Sequence, residues 1–413
     1  MNVRPHVSAH GNGTTVENAD VTVVGGAGHV GIPLVLALAE AGLRVNVNDI
    51  NRETLAVLKS GRLPYIEYDA AHLLTRALAD GRLVFTDSPA GISRSGPVIV
   101  TIGTPVDEFL NPVRRVVQAC IDDLLPHLAD GQLLILRSTV FPGTTDWIDG
   151  YLRQQGRKLK VAFCPERVVQ GYGIKELREM PQIVSGTTPE AEAEATKLFR
   201  MIAPEIVSVT PMEAEFAKLF NNAYRYIEFA ATNEFYLIAK SAGLDYQRIL
   251  NAMKHNYPRA RNIPKPGYAA GPCLVKDTMQ LSAYARNQFT LGFPAMQVNE
   301  GLALHVIDDM RKRFDLSGMT VGLLGMAFKA EVDDIRASLS YKFKNALTSI
   351  ARQVLTTDPF VTIDPDLSPL EEVVARSDVM ILCTPHACYR DVKFGNKPVV
   401  DVWGFLSGPN VIR

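Results

Sequence analysis

The sequence has no excess of either charge, no long apolar run and no orderly set of cysteines. It carries 43 Lys and Arg against 44 Asp and Glu, a formal charge of -1, so it offers no electrostatic footprint for nucleic acid. Its longest apolar stretches, such as LLILRSTVF from Leu133, meet a charge well before the roughly 20 residues a membrane span needs. The opening MNVRPHVSAHGNGTTVENAD lacks the apolar core of a secretory signal, and its Gly, Asn and Thr content reads as a flexible tail over residues 1–18. Cys120, Cys164, Cys273, Cys383 and Cys388 are odd in number and spaced for neither a disulfide framework nor a zinc site. Reduced thiols, a cytoplasmic setting and no bound metal are therefore expected. What remains is a 413-residue chain, 47% hydrophobic and 21% charged, which suits a globular protein of two or three domains.

The same organisation occurs twice along that chain. ADVTVVGGAGHVGIPLVLALAEAG gives a strand, a glycine turn and a helix, and RVNVND gives a second strand ending on Asp49. RLVFT, GPVIVTIG, QLLILRST, KVAFCP, QIVSG and EIVSV supply further strands with helices between several of them, the pattern of a mostly parallel sheet. The second copy starts near Ser317: SGMTVGLLGMAFK gives strand and turn, YKFKNALTSIARQ a helix, QVLTTD a strand ending on Asp358, and SDVMILCTP and KPVVDVW two more. From about Pro211 to Phe314 the pattern is helical throughout, and EAEFAKLFNNAYRYIEFAATNEFYLIAKSAG runs without a proline. The expected fold is α/β: an NAD-binding Rossmann domain over 19–210, a helical region over 211–316 built on a long helix, and a second Rossmann-like domain over 317–413.

Gly26-Ala27-Gly28-His29-Val30-Gly31 fits G-x-G-x-x-G. The first glycine makes the turn, the second lets the backbone approach a pyrophosphate and the third packs helix on strand. It follows a strand, opens a helix whose N-terminus favours anions, and precedes Asp49, which is placed to accept from a ribose 2'-OH. That arrangement favours NAD over NADP, while Arg52 leaves some use of NADP open. The second copy has only Gly322 and Gly325, followed by Phe328-Lys329, which suits a different phosphate-bearing ligand better than a dinucleotide.

Cys273, in GYAAGPCLVKD, begins a helical stretch and has Lys276 close by in sequence. Both features stabilise a thiolate. Beside a nicotinamide site, a thiolate can trap an aldehyde as a thiohemiacetal, which loses hydride to give a thioester.

These stretches, with GTP from Gly103, STVFPGTT from Ser138, CPERV from Cys164, EAEFAKLFNNAYR from Glu213, LLGMAFKAEVDDIRAS from Leu323 and DVWG from Asp401, resemble the nucleotide-sugar 6-dehydrogenases, the UDP-glucose/GDP-mannose dehydrogenase family. CPERVVQG looks nearer the UDP-N-acetylhexosamine branch. The resemblance implies a four-electron oxidation of a sugar C6 hydroxyl to a uronic acid with two NAD. It makes Cys273 the nucleophile, Lys218 and Asn222 the oxyanion stabilisers, Asp277 an aid to proton transfer and water activation, and Glu166 and Thr139 the groups that orient water. It adds Thr104, Thr139, Lys276 and Arg336 to the glycine turn and Asp49 around the cofactor. It places Glu166, Arg167, Val168, Lys218, Asn222, Tyr268, Gly271, Phe328 and Lys329 around the nucleotide-sugar, a UDP-sugar. Lys329 and Arg336 resemble positions that grip phosphates or reach a neighbouring subunit's site.

Three departures bear on the substrate rather than on the reaction. Gln170 stands where the UDP-glucose branch has a second glutamate, Ala270-Gly271-Pro272 stand where the cysteine loop commonly reads Gly-Gly-x, and Arg137 stands where many relatives have an acid. A two-electron 3-hydroxyacid-type dehydrogenase and a catalytically silent nucleotide-sugar binder remain as alternatives, but neither explains Cys273 together with its partners. The apolar residues of the long helix lie on more than one face, so a homodimer joined through it is expected.

Overall fold

A computed structural model describes residues 19–107 and 113–413; the tail expected over residues 1–18 lies outside the described residues. The described chain divides into two units, the second beginning at Leu219 and also taking Val106 and Asp107.

The first unit runs β1 (Val21–Val24), α1 (Gly31–Glu40), β2 (Val45–Asn48), α2 (Arg52–Lys59), α3 (Ala70–Ala79), β3 (Leu83–Thr86), β4 (Val98–Val100), α4 (Arg114–Leu124), β5 (Leu133–Leu136), α5 (Thr144–Gln154), β6 (Lys160–Phe163), α6 (Gly173–Glu179), β7 (Gln182–Gly186), α7 (Pro189–Phe199) and β8 (Ile206–Ser208), ending in the first turns of α8 (Pro211–Ser241). Its sheet has the order β3-β2-β1-β4-β5-β6-β7-β8, parallel except where β7 pairs antiparallel with β6. Side chains alternate across each strand, and the core divides accordingly. Leu133, Ile135 and Ala162 pack with α1, α3 and α7, whereas Leu134, Leu136, Val161 and Phe163 pack with α4 and α5. A sheet covered on both faces explains why these strands read as unbroken apolar runs.

The second unit continues α8 and adds α9 (Tyr246–Lys254), α10 (Leu274–Tyr284), α11 (Gly292–Arg313), β9 (Thr320–Leu324), α12 (Leu339–Thr348), β10 (Gln353–Thr357), α13 (Leu370–Arg376), β11 (Val379–Leu382), β12 (Val399–Val400) and β13 (Val411–Ile412). Its sheet is ordered β10-β9-β11-β12-β13 with every pair parallel. Val321, Leu323, Val379 and Ile381 share a core with α8, α9 and α11, and Leu324, Met380 and Leu382 face a separate one. The 31 residues of α8 bear out the uninterrupted helix read between Pro211 and Ser241. β13 escaped the sequence reading because two residues carry no period.

In each sheet the strand order reverses at one point, beside β1 in the first and β9 in the second. The crevice outside the carboxyl ends of the strands there is the ordinary ligand site of an open α/β sheet.

Candidate active site

The first unit gathers its predicted residues at the carboxyl ends of β1, β2, β4, β5 and β6. Gly26 and Gly31 are packing glycines: a Cβ at Gly26 would lie 2.7 Å from the Val23 carbonyl and one at Gly31 2.4 Å from the Gly25 carbonyl. At Gly28 an added Cβ would meet only the Gly25 carbonyl, at 3.3 Å, so this backbone remains approachable. The first turn of α1, starting after Val30, has no side-chain cap and no acid. Its positive end is thus left to an anion, as a pyrophosphate requires. Asp49 ends β2, where Oδ2 accepts from Ala27 N (3.1 Å) and Oδ1 from Asn51 N (2.9 Å). The acid therefore braces the glycine turn from the end of the neighbouring strand. Arg52, the residue that left NADP open, pairs with Asp87 at 2.7 Å.

Thr104 and Thr139 are brought together: Thr104 Oγ1 donates to the Thr139 carbonyl (2.5 Å). Glu166 is buried and ion-paired with Arg137, whose side chain is fully buried. Its other oxygen accepts from Arg167 N (2.7 Å) and Val168 N (2.9 Å). Arg137 also donates to Gln182 Oε1 (3.0 Å) and the Cys164 carbonyl (3.2 Å). Arg137 thus anchors Glu166 and, through it, the start of the 165–173 segment. Lys218 and Asn222 lie one turn apart on α8, and three residues before Lys218 the buried Glu215 accepts from Gly143 N (2.5 Å), Thr145 N (2.8 Å) and Thr145 Oγ1 (2.6 Å). Burial raises the Glu215 carboxyl above its ordinary value, against the bonds from Thr145 and Gly143 that lower it.

In the second unit Cys273 is exposed and occupies the N-cap position of α10. One turn on, Asp277 N donates to the Cys273 carbonyl (2.9 Å). The Asp277 carboxyl is fully buried, with Oδ2 accepting from Asn222 Nδ2 at 2.6 Å. The Lys276 ammonium stands 2.9 Å from Oδ1, an ion pair without hydrogen-bond alignment. The remaining thiols are poor nucleophiles by environment. Burial, helped by Asp123, pushes Cys120 up to about 11; burial pushes Cys164 up to about 12 and Cys383 further. Cys388 is raised by burial and by Glu331 and Asp358 beside it.

The cysteine loop rests on the C-terminal half of its unit. Asn233 clamps Gly267 through both its N–H (2.8 Å) and its carbonyl (3.0 Å). Tyr268 wedges edge-on between Phe343 and Trp403, at 4.9 and 5.7 Å between ring centres. Gly271 has φ +105°, and a Cβ there would lie 2.7 Å from the Phe328 ring; its N–H donates to the Ala337 carbonyl (3.3 Å). The segment from Phe328 to Ala337 carries Lys329 and Arg336, the latter bonded through Nε and a terminal nitrogen to Asp334. The second glycine turn is braced much as the first is, where Ala27 N goes to Asp49 and Gly26 N to the Asn48 carbonyl. Asp358 Oδ2 takes the N–H groups of Met326 (2.6 Å) and Ala327 (2.9 Å) and lies 3.1 Å from His386 Nε2.

Three family models match in succession: the NAD binding domain of the UDP-glucose/GDP-mannose dehydrogenase family over residues 19–203, its central domain over 212–300 and its UDP binding domain over 322–408. The chain belongs to the UDP-glucose/GDP-mannose dehydrogenase family. It is an NAD-dependent nucleotide-sugar dehydrogenase, with NAD as cofactor and a domain of the UDP-binding type. It is 29% identical over 383 residues to the UDP-N-acetyl-D-mannosamine dehydrogenase of Pyrococcus horikoshii, covering 89% of this chain and 90% of that one. To the NDP-N-acetyl-D-galactosaminuronic acid dehydrogenase of Ralstonia nicotianae it is 27% identical over 420 residues, covering 95% and 97%. The solved structure of the UDP-D-ManNAc dehydrogenase from Pyrococcus horikoshii superposes with a TM-score of 0.87 at 28% identity, covering 94% and 96%. These relatives agree with the N-acetylhexosamine branch read from CPERVVQG.

Sequence reasoning missed the residues that hold the site rather than form it. Glu215 was legible in hindsight, since it lies three residues before Lys218 on the same helix. Glu67, buried 104 residues from the Gly171 N–H it holds at 3.1 Å, had no local signal; neither had Asn233.

Proposed function

We propose that the enzyme carries out a four-electron oxidation of the C6 hydroxyl of a UDP-N-acetylhexosamine, with UDP-glucose as the alternative hexose, through a covalent bond to Cys273. The observation that carries this reading is the exposed thiol at the start of α10, with the buried Asn222–Asp277–Lys276 cluster one turn behind it. Two NAD molecules, bound in succession, would each accept one of the two hydrides that leave C6. Between them the Cys273 thiolate adds to the C6 aldehyde, forming a C–S bond and a thiohemiacetal alkoxide; loss of the second hydride leaves a thioester, and water cleaves it to the uronate and the free thiol.

Lys218 and Asn222 supply charge and an N–H to the oxyanions. An amide nitrogen has two donors: one goes to Asp277, leaving the second for the substrate. Asp277 thereby orients Asn222 and Lys276 and assists proton transfer, while Glu166 and Thr139 orient the hydrolytic water. Gly26, Gly28, His29, Val30, Gly31, Asp49, Thr104, Thr139, Lys276 and Arg336 would hold the cofactor. Arg167, Val168, Tyr268, Gly271, Phe328 and Lys329 would hold the nucleotide-sugar with the groups above. Residues 19–210, 211–316 and 317–413 act in this reading as cofactor, helical and nucleotide-sugar domains, in a reducing cytoplasm that keeps the five thiols free. Phe220, Tyr224, Phe235 and Ile238 form an exposed apolar stripe along α8, with Ile227 between them, and a second copy of the chain covers it. NADH release across a panel of UDP- and GDP-sugars tests the substrate: a UDP-N-acetylhexosamine should show the highest kcat/KM, and a preference for GDP-mannose would overturn the assignment.

A further inference from the structure

The segment from Pro165 to Gly173 is pinned inside the first unit by acids at both ends. Glu166 takes the N–H groups of Arg167 and Val168, Glu176 takes that of Val169, and Glu67 takes those of Gly171 (3.1 Å) and Ile174 (3.2 Å). At two further points this segment leans on the dinucleotide turn itself. Gly173 lies against the first turn of α1, where a Cβ would come 2.8 Å from the Pro33 ring. Gln170 Nε2 lies 3.0 Å from His29 Nδ1. His29 packs in turn against Tyr65, tilted by 35° at 3.9 Å between ring centres, and the Tyr65 hydroxyl donates to the Gly28 carbonyl (2.8 Å). Gln170 thus reaches the residue between Gly28 and Gly31 whose backbone orients the uncapped N-terminus of α1.

We infer that Gln170 is a positioning residue that couples nucleotide-sugar binding to cofactor binding, through His29. The inference rests on the reading of Arg167 and Val168 as sugar-binding. Ordering the 165–173 segment on the sugar orders the His29 turn through the shared bond, so the cofactor then pays less to organise it, and by linkage the reverse holds equally. An amide in place of a carboxylate suits this place, because the Gln170 N–H meets the ring nitrogen without adding negative charge beside the anion site of α1. One hydrogen bond's net worth sets the coupling at about fivefold in affinity.

The test titrates NADH, which cannot oxidise the alcohol, into the whole enzyme with and without saturating UDP-N-acetyl-D-mannosamine. It also follows hydrogen exchange of residues 27–32 with the sugar alone. In the unaltered enzyme the sugar should tighten NADH about fivefold and slow that exchange. Gln170→Leu should abolish both effects, and Gln170→Glu, whose carboxylate accepts from the Nδ1–H form of His29, should keep the coupling while weakening NADH with and without the sugar, through the charge it adds beside α1. Arg167→Ala should weaken the sugar itself. If Gln170→Leu keeps the unaltered coupling, or the unaltered enzyme shows none, the inference is wrong; if Arg167→Ala leaves sugar affinity unchanged, the sugar-binding reading of the segment is what fails. Should the Leu variant not fold, Gln170→Glu against Gln170→Ala makes the same comparison.

Discussion

Replacing Asp277 by Asn changes one atom and should disable the oxyanion site. The carboxylate serves two donors at once, Asn222 Nδ2 at 2.6 Å on one oxygen and the Lys276 ammonium at 2.9 Å from the other. An amide has only one accepting oxygen. The ammonium draws it by charge, since a cation is attracted to the oxygen end of the amide and repelled by the NH2 end. The new NH2 then faces Asn222, which must turn its own oxygen inward to accept, and the N–H that met the substrate oxyanion rotates away. Loss of one such donor costs about 100- to 1,000-fold in kcat. Stability should fall far less, by about 1–2 kcal/mol, because a charge-assisted bond is exchanged for a neutral one. Steady-state NADH formation beside urea unfolding separates the two effects. Asn222→Ala should cost a similar factor, and the double variant no more than either alone, because both remove the same donor. The reasoning is refuted if Asp277→Asn keeps kcat within about threefold, or if the two losses multiply.

Two further outcomes follow from single side chains. Asp49→Ala should narrow the preference for NAD over NADP by removing both a ribose acceptor and a charge that repels a 2'-phosphate; equal kcat/KM for the two cofactors in the unaltered enzyme would contradict it. Ile238 is 59% exposed on the apolar stripe of α8, so Ile238→Glu should convert a dimer to monomer in sedimentation equilibrium at micromolar concentration, and a monomeric unaltered enzyme would remove the proposal.

Much of the fold was legible because it is written in local periods. Strands buried on both faces read as apolar runs, the glycine turn follows β1 and opens α1, and α8 shows itself by 31 helical residues without an internal proline. The pattern could not tell that β7 turns antiparallel to β6, since direction is decided by how the chain returns. Of the candidate site, Asp49, Asn222, Cys273 and Asp277 were read from ordered motifs, since each needs fixed neighbours in sequence. What was not legible is the packing behind them. Arg137 was noticed only as a departure, and its pairing with Glu166 across 29 residues depends on β5 and β6 lying side by side. The contact of Asp358 with His386, 28 residues away, likewise had no local signal.

The central claim is that Cys273 holds the carbon being oxidised between two hydride losses, and the count of NADH formed per uronate tests it most directly. The account predicts two NADH per uronate with no free aldehyde, and with Cys273→Ser it predicts loss of uronate turnover, since a serine hydroxyl is a weaker nucleophile and its ester a poorer acyl donor than the thioester. One NADH per sugar with aldehyde released, or a serine variant turning over at the unaltered rate, would contradict it.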